Sequence, residues 1–401
     1  MMKYTEIREQ LSFKPEREKT NGLAYLTHYL HNYRNGVAHH YSKQAQDYLY
    51  SIRDKVDILG EPNFQYLIPI KWDVPFPSPT NPTFKFIDLF AGIGGFRIAL
   101  QKAGGKCVFS SEIDKAAKKT YELNFGEVPF GDLKEFTGEN ITDEELDKLI
   151  PNHDVLAAGF PCQPFSRAGV SARNFLGKMH GFDDTNQGNL FFDIIRIAKV
   201  KRPRVLFLEN VKNLKIHDEG KTFKTIQEII EKDLNYKFFS KVINSETLVP
   251  QRRERTYIVC FREDVGEFDF PEFKGTPLTL RSILESDVDE SYTISDKLWK
   301  GHINRSKRNK ERGTGFTVSL ANLDKPSNTI VARYYKDGKE CLIPQKDKNP
   351  RKLTPYECAK LQGYPEQFII PLSNVAAYKQ FGNSVAVPVI EKISMSIIKK
   401  L

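Results

Sequence analysis

Cysteine is scarce in this chain: five in 401 residues, at Cys107, Cys162, Cys260, Cys341 and Cys358. They are widely spaced and odd in number, which argues against a disulfide framework and offers no zinc-ligand spacing. A reducing cytoplasm is the expected compartment. Long apolar runs are also missing. None approaches the roughly 18–20 residues of a membrane span, so no membrane association is expected. Met1-Met2-Lys3-Tyr4-Thr5-Glu6 lacks the apolar core of a secretory signal. No Cys or acidic cluster accompanies His28, His31, His39 and His40. These read as surface or core histidines, and no metal is expected. Acid is in deficit, with 51 Asp+Glu against 60 Lys+Arg, a formal charge of +9 and a pI near 9.0. That balance suits a polyanionic partner without proving one. Hydrophobic content of 40% and charged content of 28% are those of a globular protein, long enough for two domains or more.

What is present centres on Gly159-Phe160-Pro161-Cys162-Gln163-Pro164-Phe165-Ser166. The octet follows an apolar run, Asp154–Ala158, that reads as a buried strand. Pro161 and Pro164 fix φ and remove two backbone donors, so the chain must turn out of the sheet around Cys162. A thiol at that edge is either a buried structural cysteine or a reactive group placed where α/β folds hold their chemistry. The rest of the chain decides between them. Phe84–Leu100 is a strand, a Gly turn and a helix, and such turns bring backbone N–H groups to a ligand. Arg97 stands where a G-x-G-x-x-G fingerprint needs its last glycine, so a dinucleotide site is disfavoured. A second strand ends in Glu112, about 20 residues past the turn, where a carboxylate can accept ribose hydroxyls. A third strand end carries Asp132. Together these suggest an adenosine-containing ligand without a pyrophosphate.

Further on, 167–189 is polar and without period, and reads as a lid beside an active site. Leu190–Val200 is helical. Val205–Val211 is a buried strand bearing Glu209, on the same edge as Cys162. Arg252, Arg253 and Arg255 form either a solvated basic turn or a clamp for phosphates or a base. Residues 1–83 read as an N-terminal helical extension closed by a proline-rich linker, Val74–Pro82. A catalytic and cofactor-binding domain is expected over 84–262, completed by 366–401. An irregular basic domain is expected over 263–350, with 351–365 a linking helix capped by Thr354 and Glu357. Arg333, Tyr334 and Lys336 on its loops suit reading base edges and phosphates. Phe381–Pro388 is expected to open a C-terminal helix, its Gly382-Asn383-Ser384 turn touching the small ligand. The fold class is α/β, a doubly wound, mainly parallel sheet.

Asp88–Gly95, the Pro161-Cys162-Gln163 core, Glu209-Asn210-Val211, Gln251-x-Arg253-x-Arg255 and Gly382–Val385 stand in the order seen in DNA (cytosine-5) methyltransferases. The resemblance spans about 84–401. Ala168–Ser171, Glu209–Leu214 and Ala332–Gly338 are most similar to the bacterial Dcm-type enzymes. It implies transfer of a methyl group from S-adenosylmethionine, leaving S-adenosylhomocysteine, to C5 of a cytosine in duplex DNA. Cys162 would attack C6, Glu209 would bond N3 and the exocyclic amine, and Arg253 and Arg255 would hold the base. The methyl donor would meet Phe90, Gly92, Gly94, Glu112, Ile113, Asp132, Pro161, Leu190 and Asn383. Many relatives carry Trp where this chain has Ile113, which implies a less aromatic adenine pocket. Gln163 or Ser166 would help fill the gap left by the flipped base, and DNA would lie in a cleft between the domains. The kinship implies a C-C-W-G-G or C-C-N-G-G site, the inner cytosine modified, and a monomeric enzyme; whether a cognate restriction endonuclease accompanies it is left open. An RNA cytosine methyltransferase, or an added role for residues 1–83 as a DNA-binding autoregulator, are the alternatives.

Overall fold

The computed structural model describes residues 2–32, 40–52, 70–161, 190–313, 318, 320–371 and 373–401. Two compact units emerge. One comprises Met1–Val242, Arg255–Phe270 and Ser394–Leu401; the other comprises Ile243–Glu254 and Pro271–Ile393.

The first unit is built on strands β1 (Phe84–Leu89), β2 (Gly105–Ser111), β3 (Val155–Gly159), β4 (Val205–Val211), β5 (Lys237–Asn244) and β6 (Glu254–Phe261), in the order β2-β1-β3-β4-β6-β5. The pairs β1–β2, β1–β3 and β3–β4 are parallel, and β6 runs antiparallel to β4. The sequence of β6 could not reveal its direction, because an apolar run carries none. Val155–Ala158 and Val205–Leu208 are wholly buried. Such unbroken apolar strands are what a sheet covered on both faces requires. The strand order reverses between β1 and β3, and ligands of open α/β sheets bind outside the carboxyl ends at such a reversal.

The described residues of 2–32 and 40–52 join this same core rather than forming a separate module. Helices α1 (Tyr4–Gln10), α2 (Gly22–Asn32) and α3 (Ser42–Ile52) contribute Tyr4, Ile7, Leu23, Leu26, Leu30 and Leu49 to the cluster containing Phe109 and Phe130. Eight of the eleven α2 residues are buried, His28 and His31 among them. A helix buried nearly all round belongs to a core. The proline-rich stretch is packed too: Phe76 N–H donates to the Asn124 carbonyl at 3.0 Å, and Gln101 donates to the Phe76 and Pro77 carbonyls. Beneath α2 lies a buried ion pair, Arg97 to Glu127 at 2.6 Å. Against a burial that would raise it, Arg97 holds the Glu127 carboxyl down at about 2.

Helices α4 (Gly95–Lys102), α5 (Lys115–Phe125) and α6 (Leu190–Lys201) flank the sheet. The second unit contains α7 (Asp296–Glu311), α8 (Pro355–Leu361) and α9 (Asn374–Asn383), and α10 (Val387–Ile398) follows. The expected capping box of α8 forms, Glu357 N–H donating to Thr354 Oγ1 at 3.1 Å and Thr354 N–H to Glu357 Oε2 at 2.8 Å. Glu357 is also clamped by both Arg351 amino nitrogens at 2.8 Å. By length and composition alone, 374–398 would pass for a membrane span, contrary to the sequence expectation. It folds instead as two helices broken at Ser384–Ala386.

Candidate active site

The turn after β1 is shaped by backbone sterics. Phe90, Gly92 and Gly94 all have positive φ, at 56°, 55° and 85°. Gly94 then starts α4, and a Cβ there would lie 2.2 Å from the Phe125 ring. Left-handed backbone and overpacking therefore both oppose a side chain. Gly94→Ala is expected to cost about 2–4 kcal/mol, read as a lower midpoint in chemical denaturation. At Gly92 a Cβ would meet nothing within 4 Å, so backbone faces open space there, as a ligand cradle requires.

Glu112 lies just past β2, paired to this turn. Its Oε2 accepts the Gly92 N–H at 2.8 Å and its Oε1 accepts the Asp114 N–H at 2.7 Å. Burial pushes its carboxyl above the ordinary range, partly offset by these N–H groups. Ile113 beside it is 71% exposed. A bare aliphatic side chain next to a held carboxylate can take a flat ring on one side and sugar hydroxyls on the other. Asp132 is exposed on the neighbouring turn and its Oδ1 accepts the Lys134 N–H at 3.0 Å. Leu190 is half-buried at the start of α6, and Pro161 is exposed. The residues of the first unit thus fit an adenosine-bearing methyl donor.

The reacting edge is set by β3 and β4. Gly159 pairs with Glu209, and Phe160 and Pro161 lead toward Cys162. Cys162, Gln163, Ser166 and the 167–189 stretch lie outside the described residues. The Asn210 side chain donates to the Phe160 carbonyl at 2.9 Å, and its Oδ1 accepts the Val211 N–H at 2.8 Å. It ties Phe160, at the approach to Pro161, to β4, a role the Glu-Asn-Val motif signalled only by its presence. Arg255 faces Val211 across the β4–β6 ladder, and its Nε lies 3.1 Å from Glu209 Oε1. Both side chains are nearly buried, at 14% and 10% exposure. A desolvated carboxylate beside a guanidinium can recognise the amide-like edge of a base and share a proton with it.

In the second unit Arg253 behaves differently from the sequence expectation. It is 3% exposed and donates to the carbonyls of Ile330 at 3.3 Å, Gly382 at 3.4 Å and Ser384. Its guanidinium is engaged by main-chain carbonyls, so it braces the fold where Arg255 pairs with Glu209. Gly382 permits that arrangement, because a Cβ would lie 2.3 Å from the Val331 carbonyl carbon. The Gly-Asn turn itself ends α9, and the C-terminal helix expected of Phe381–Pro388 opens just after it, at Val387: Ser373 caps the start of α9, and buried Ala377, Tyr378 and Phe381 carry it through to Asn383. Asn383 is exposed there. Arg333 and Lys336 are exposed as expected. Tyr334 is not: it is fully buried, its hydroxyl donating to the Cys341 carbonyl at 2.6 Å and accepting the Leu353 N–H at 2.9 Å. A ring held at both ends of its hydroxyl in the core cannot read DNA.

The family model for C-5 cytosine-specific DNA methylase matches residues 84–399. The chain is 51% identical over 334 residues to type II methyltransferase M1.ScrFI of Lactococcus lactis subsp. cremoris, covering 82% of this chain and 81% of that enzyme. It is 40% identical over 400 residues to the DNA-cytosine methyltransferase of Escherichia coli K12, covering 86% and 83%. Among solved structures, the Dnmt2 methyltransferase of S. pombe superposes with a TM-score of 0.60 at 18% identity, over 79% of this chain and 98% of that one; this likeness concerns the fold. With the family match spanning the sheet, the Glu209–Arg255 pair and α9, the chain belongs to the C-5 cytosine-specific DNA methylases and is a DNA (cytosine-5-)-methyltransferase.

Proposed function

We propose that the enzyme transfers the methyl group of S-adenosylmethionine to C5 of the inner cytosine in a C-C-W-G-G or C-C-N-G-G duplex site. The observation that carries this reading is the buried Glu209–Arg255 pair beside Gly159, three residues before Cys162. Cytosine C5 is a weak carbon nucleophile. A bond from the Cys162 thiolate to C6 makes C5 enamine-like. Glu209 holds N3 and the exocyclic amine and shares a proton with N3, relieving the charge that addition creates. Arg255 holds the carboxylate in place and reaches the base carbonyl. S-adenosylmethionine supplies an electrophilic methyl group, held by Phe90, Gly92, Gly94, Glu112, Ile113, Asp132, Pro161, Leu190 and Asn383. Loss of the C5 proton to a base then expels the Cys162 thiolate. The cytosine must leave the duplex stack for any of this, with Gln163 or Ser166 filling its place. The enzyme acts as a cytoplasmic monomer beside an endonuclease for the same site. The type II names of its relatives and the Dcm-like segments support that setting.

Labelled methyl transfer to plasmid DNA, followed by bisulfite sequencing, tests the proposal. Label at C5 of the inner cytosine is the expected result. Label in tRNA but not in duplex DNA would overturn it.

The second unit supplies phosphate contacts in this reading. Helix α7 carries Lys297, Lys300, Arg305, Lys307, Arg308 and Lys310, and His302 is its one buried residue. Replacing Lys300, Lys307 and Lys310 together by Gln should weaken DNA binding equally for all sequences. The slope of log affinity against log salt should fall by about 2–3, close to one per lost phosphate contact. An unchanged slope would remove α7 from the DNA surface.

A further inference from the structure

The described residues of 2–52 belong to no shared motif, yet they bond the backbone on either side of the two acids assigned to the methyl donor. Asn21 is 8% exposed. Its Oδ1 accepts the Gly131 N–H at 2.8 Å, and its Nδ2 donates to Glu135 Oε2 at 2.8 Å. Gly131 immediately precedes Asp132, and the Asp132 carbonyl accepts the Glu135 N–H at 3.0 Å. Asn21 thus grips both ends of the turn that displays Asp132.

A second set of bonds runs toward Glu112. Phe130 pairs in parallel with Ser111 at the end of β2. The Glu112 N–H donates to the Phe130 carbonyl at 2.9 Å, and the Phe130 N–H donates to the Ser110 carbonyl at 2.8 Å. The Phe130 ring is enclosed from the N-terminal side by Tyr25 at 5.0 Å, His28 at 4.5 Å and Tyr41 at 5.3 Å between centroids. Thr27 Oγ1 accepts the Val128 N–H at 2.9 Å, and His28 Nε2 accepts the Ser110 N–H at 3.2 Å. The backbone of 128–131 and the end of β2 therefore draw donors' partners and aromatic packing from α2 and its cap.

We propose that the N-terminal segment, through Asn21 and the aromatic cage around Phe130, is a positioning element of the S-adenosylmethionine site, fixing Asp132 and Glu112 at the distance the nucleoside needs. Asn21 acts through these two acids, and the inference rests on their assignment to the donor. A simple packing role for residues 2–52 would affect stability alone. A positioning role separates donor affinity from folding and from DNA affinity.

The test uses the full chain and S-adenosylmethionine titrated calorimetrically, with DNA affinity and melting temperature measured in parallel. Asn21→Asp keeps the acceptor for Gly131 but sets a carboxylate against Glu135. Asn21→Ser keeps a polar hydroxyl but is too short to reach Gly131. Both should raise the Kd for S-adenosylmethionine about tenfold, Asn21→Asp through like-charge repulsion against Glu135 and Asn21→Ser by leaving the Gly131 N–H unpaired. DNA affinity should be unchanged. In the double variant Asn21→Asp/Glu135→Gln the amide and carboxylate are exchanged, and the Kd should return to within about threefold of wild type, as expected for directly coupled partners. Wild-type donor affinity in both single variants would overturn the proposal. So would a loss of donor and DNA binding that merely tracks a lower melting temperature without rescue by the exchange. If the wild-type chain itself binds no S-adenosylmethionine, the donor assignment falls, and this inference with it.

Discussion

Cys162→Ala is expected to abolish methyl transfer, lowering turnover by about four orders of magnitude or more, as loss of a covalent nucleophile does. Without addition at C6, C5 of cytosine stays part of an aromatic-like ring and has no electron pair to offer the methyl group. Cys162→Ser should be nearly as inactive, because a serine hydroxyl is far less ionised than a thiol near neutral pH. Circular dichroism and the denaturation midpoint should be unchanged, since only a single side-chain atom is lost. A substrate with fluorine at C5 of the target cytosine gives a second readout. After methyl addition there is no C5 proton to remove, so the sulfur–carbon bond persists and the wild-type enzyme should remain attached to DNA on a denaturing gel. Cys162→Ala should show no such complex. Turnover at the wild-type rate in the alanine variant would take Cys162 out of the mechanism.

The legible parts of this protein are those where backbone chemistry leaves few choices. The β1 turn announces itself because Gly92 and Gly94 have positive φ. Strands β3 and β4 announce themselves because both sheet faces are covered there and Val155–Ala158 and Val205–Leu208 are apolar throughout. Glu209 was visible as an acid ending such a strand. Arg253 and Arg255 were harder to separate, being two residues apart in one basic run. What divides them is where β6 begins, at Glu254: Arg255 enters the ladder opposite Val211, while Arg253 precedes it and is drawn to the carbonyls of Ile330, Gly382 and Ser384. Nothing local in sequence encodes that difference. Tyr334 sits between two exposed basic residues and looks like a loop contact, yet both polar partners of its hydroxyl lie 7 and 19 residues away in the chain. The N-terminal helices carried a recognisable period, but their target, a backbone segment more than 100 residues on, leaves no local trace.

Glu209→Gln is the complementary expectation, aimed at proton sharing where Cys162 concerns the carbon–sulfur bond. The amide has the shape of the carboxylate and can still bond the cytosine edge, so DNA affinity should stay within about threefold, while kcat falls by about two to four orders of magnitude for want of a group that can pass a proton to N3. Arg255→Gln removes the guanidinium 3.1 Å from Glu209 and leaves that carboxylate desolvated without its cation. Its kcat should fall about a hundredfold, the scale on which a truncated charge pair disturbs a site. The informative variant is the double one. If the two side chains act as one device, Glu209→Gln/Arg255→Gln should be about as slow as the worse single variant, because Arg255 has no carboxylate left to orient. If Arg255 acted on DNA phosphates independently of Glu209, the two losses would multiply and the Arg255 variant alone would show weaker, more salt-sensitive DNA binding. Single-turnover rates on a saturated duplex separate these outcomes, and a Glu209→Gln enzyme that turns over at the wild-type rate would place the proton elsewhere.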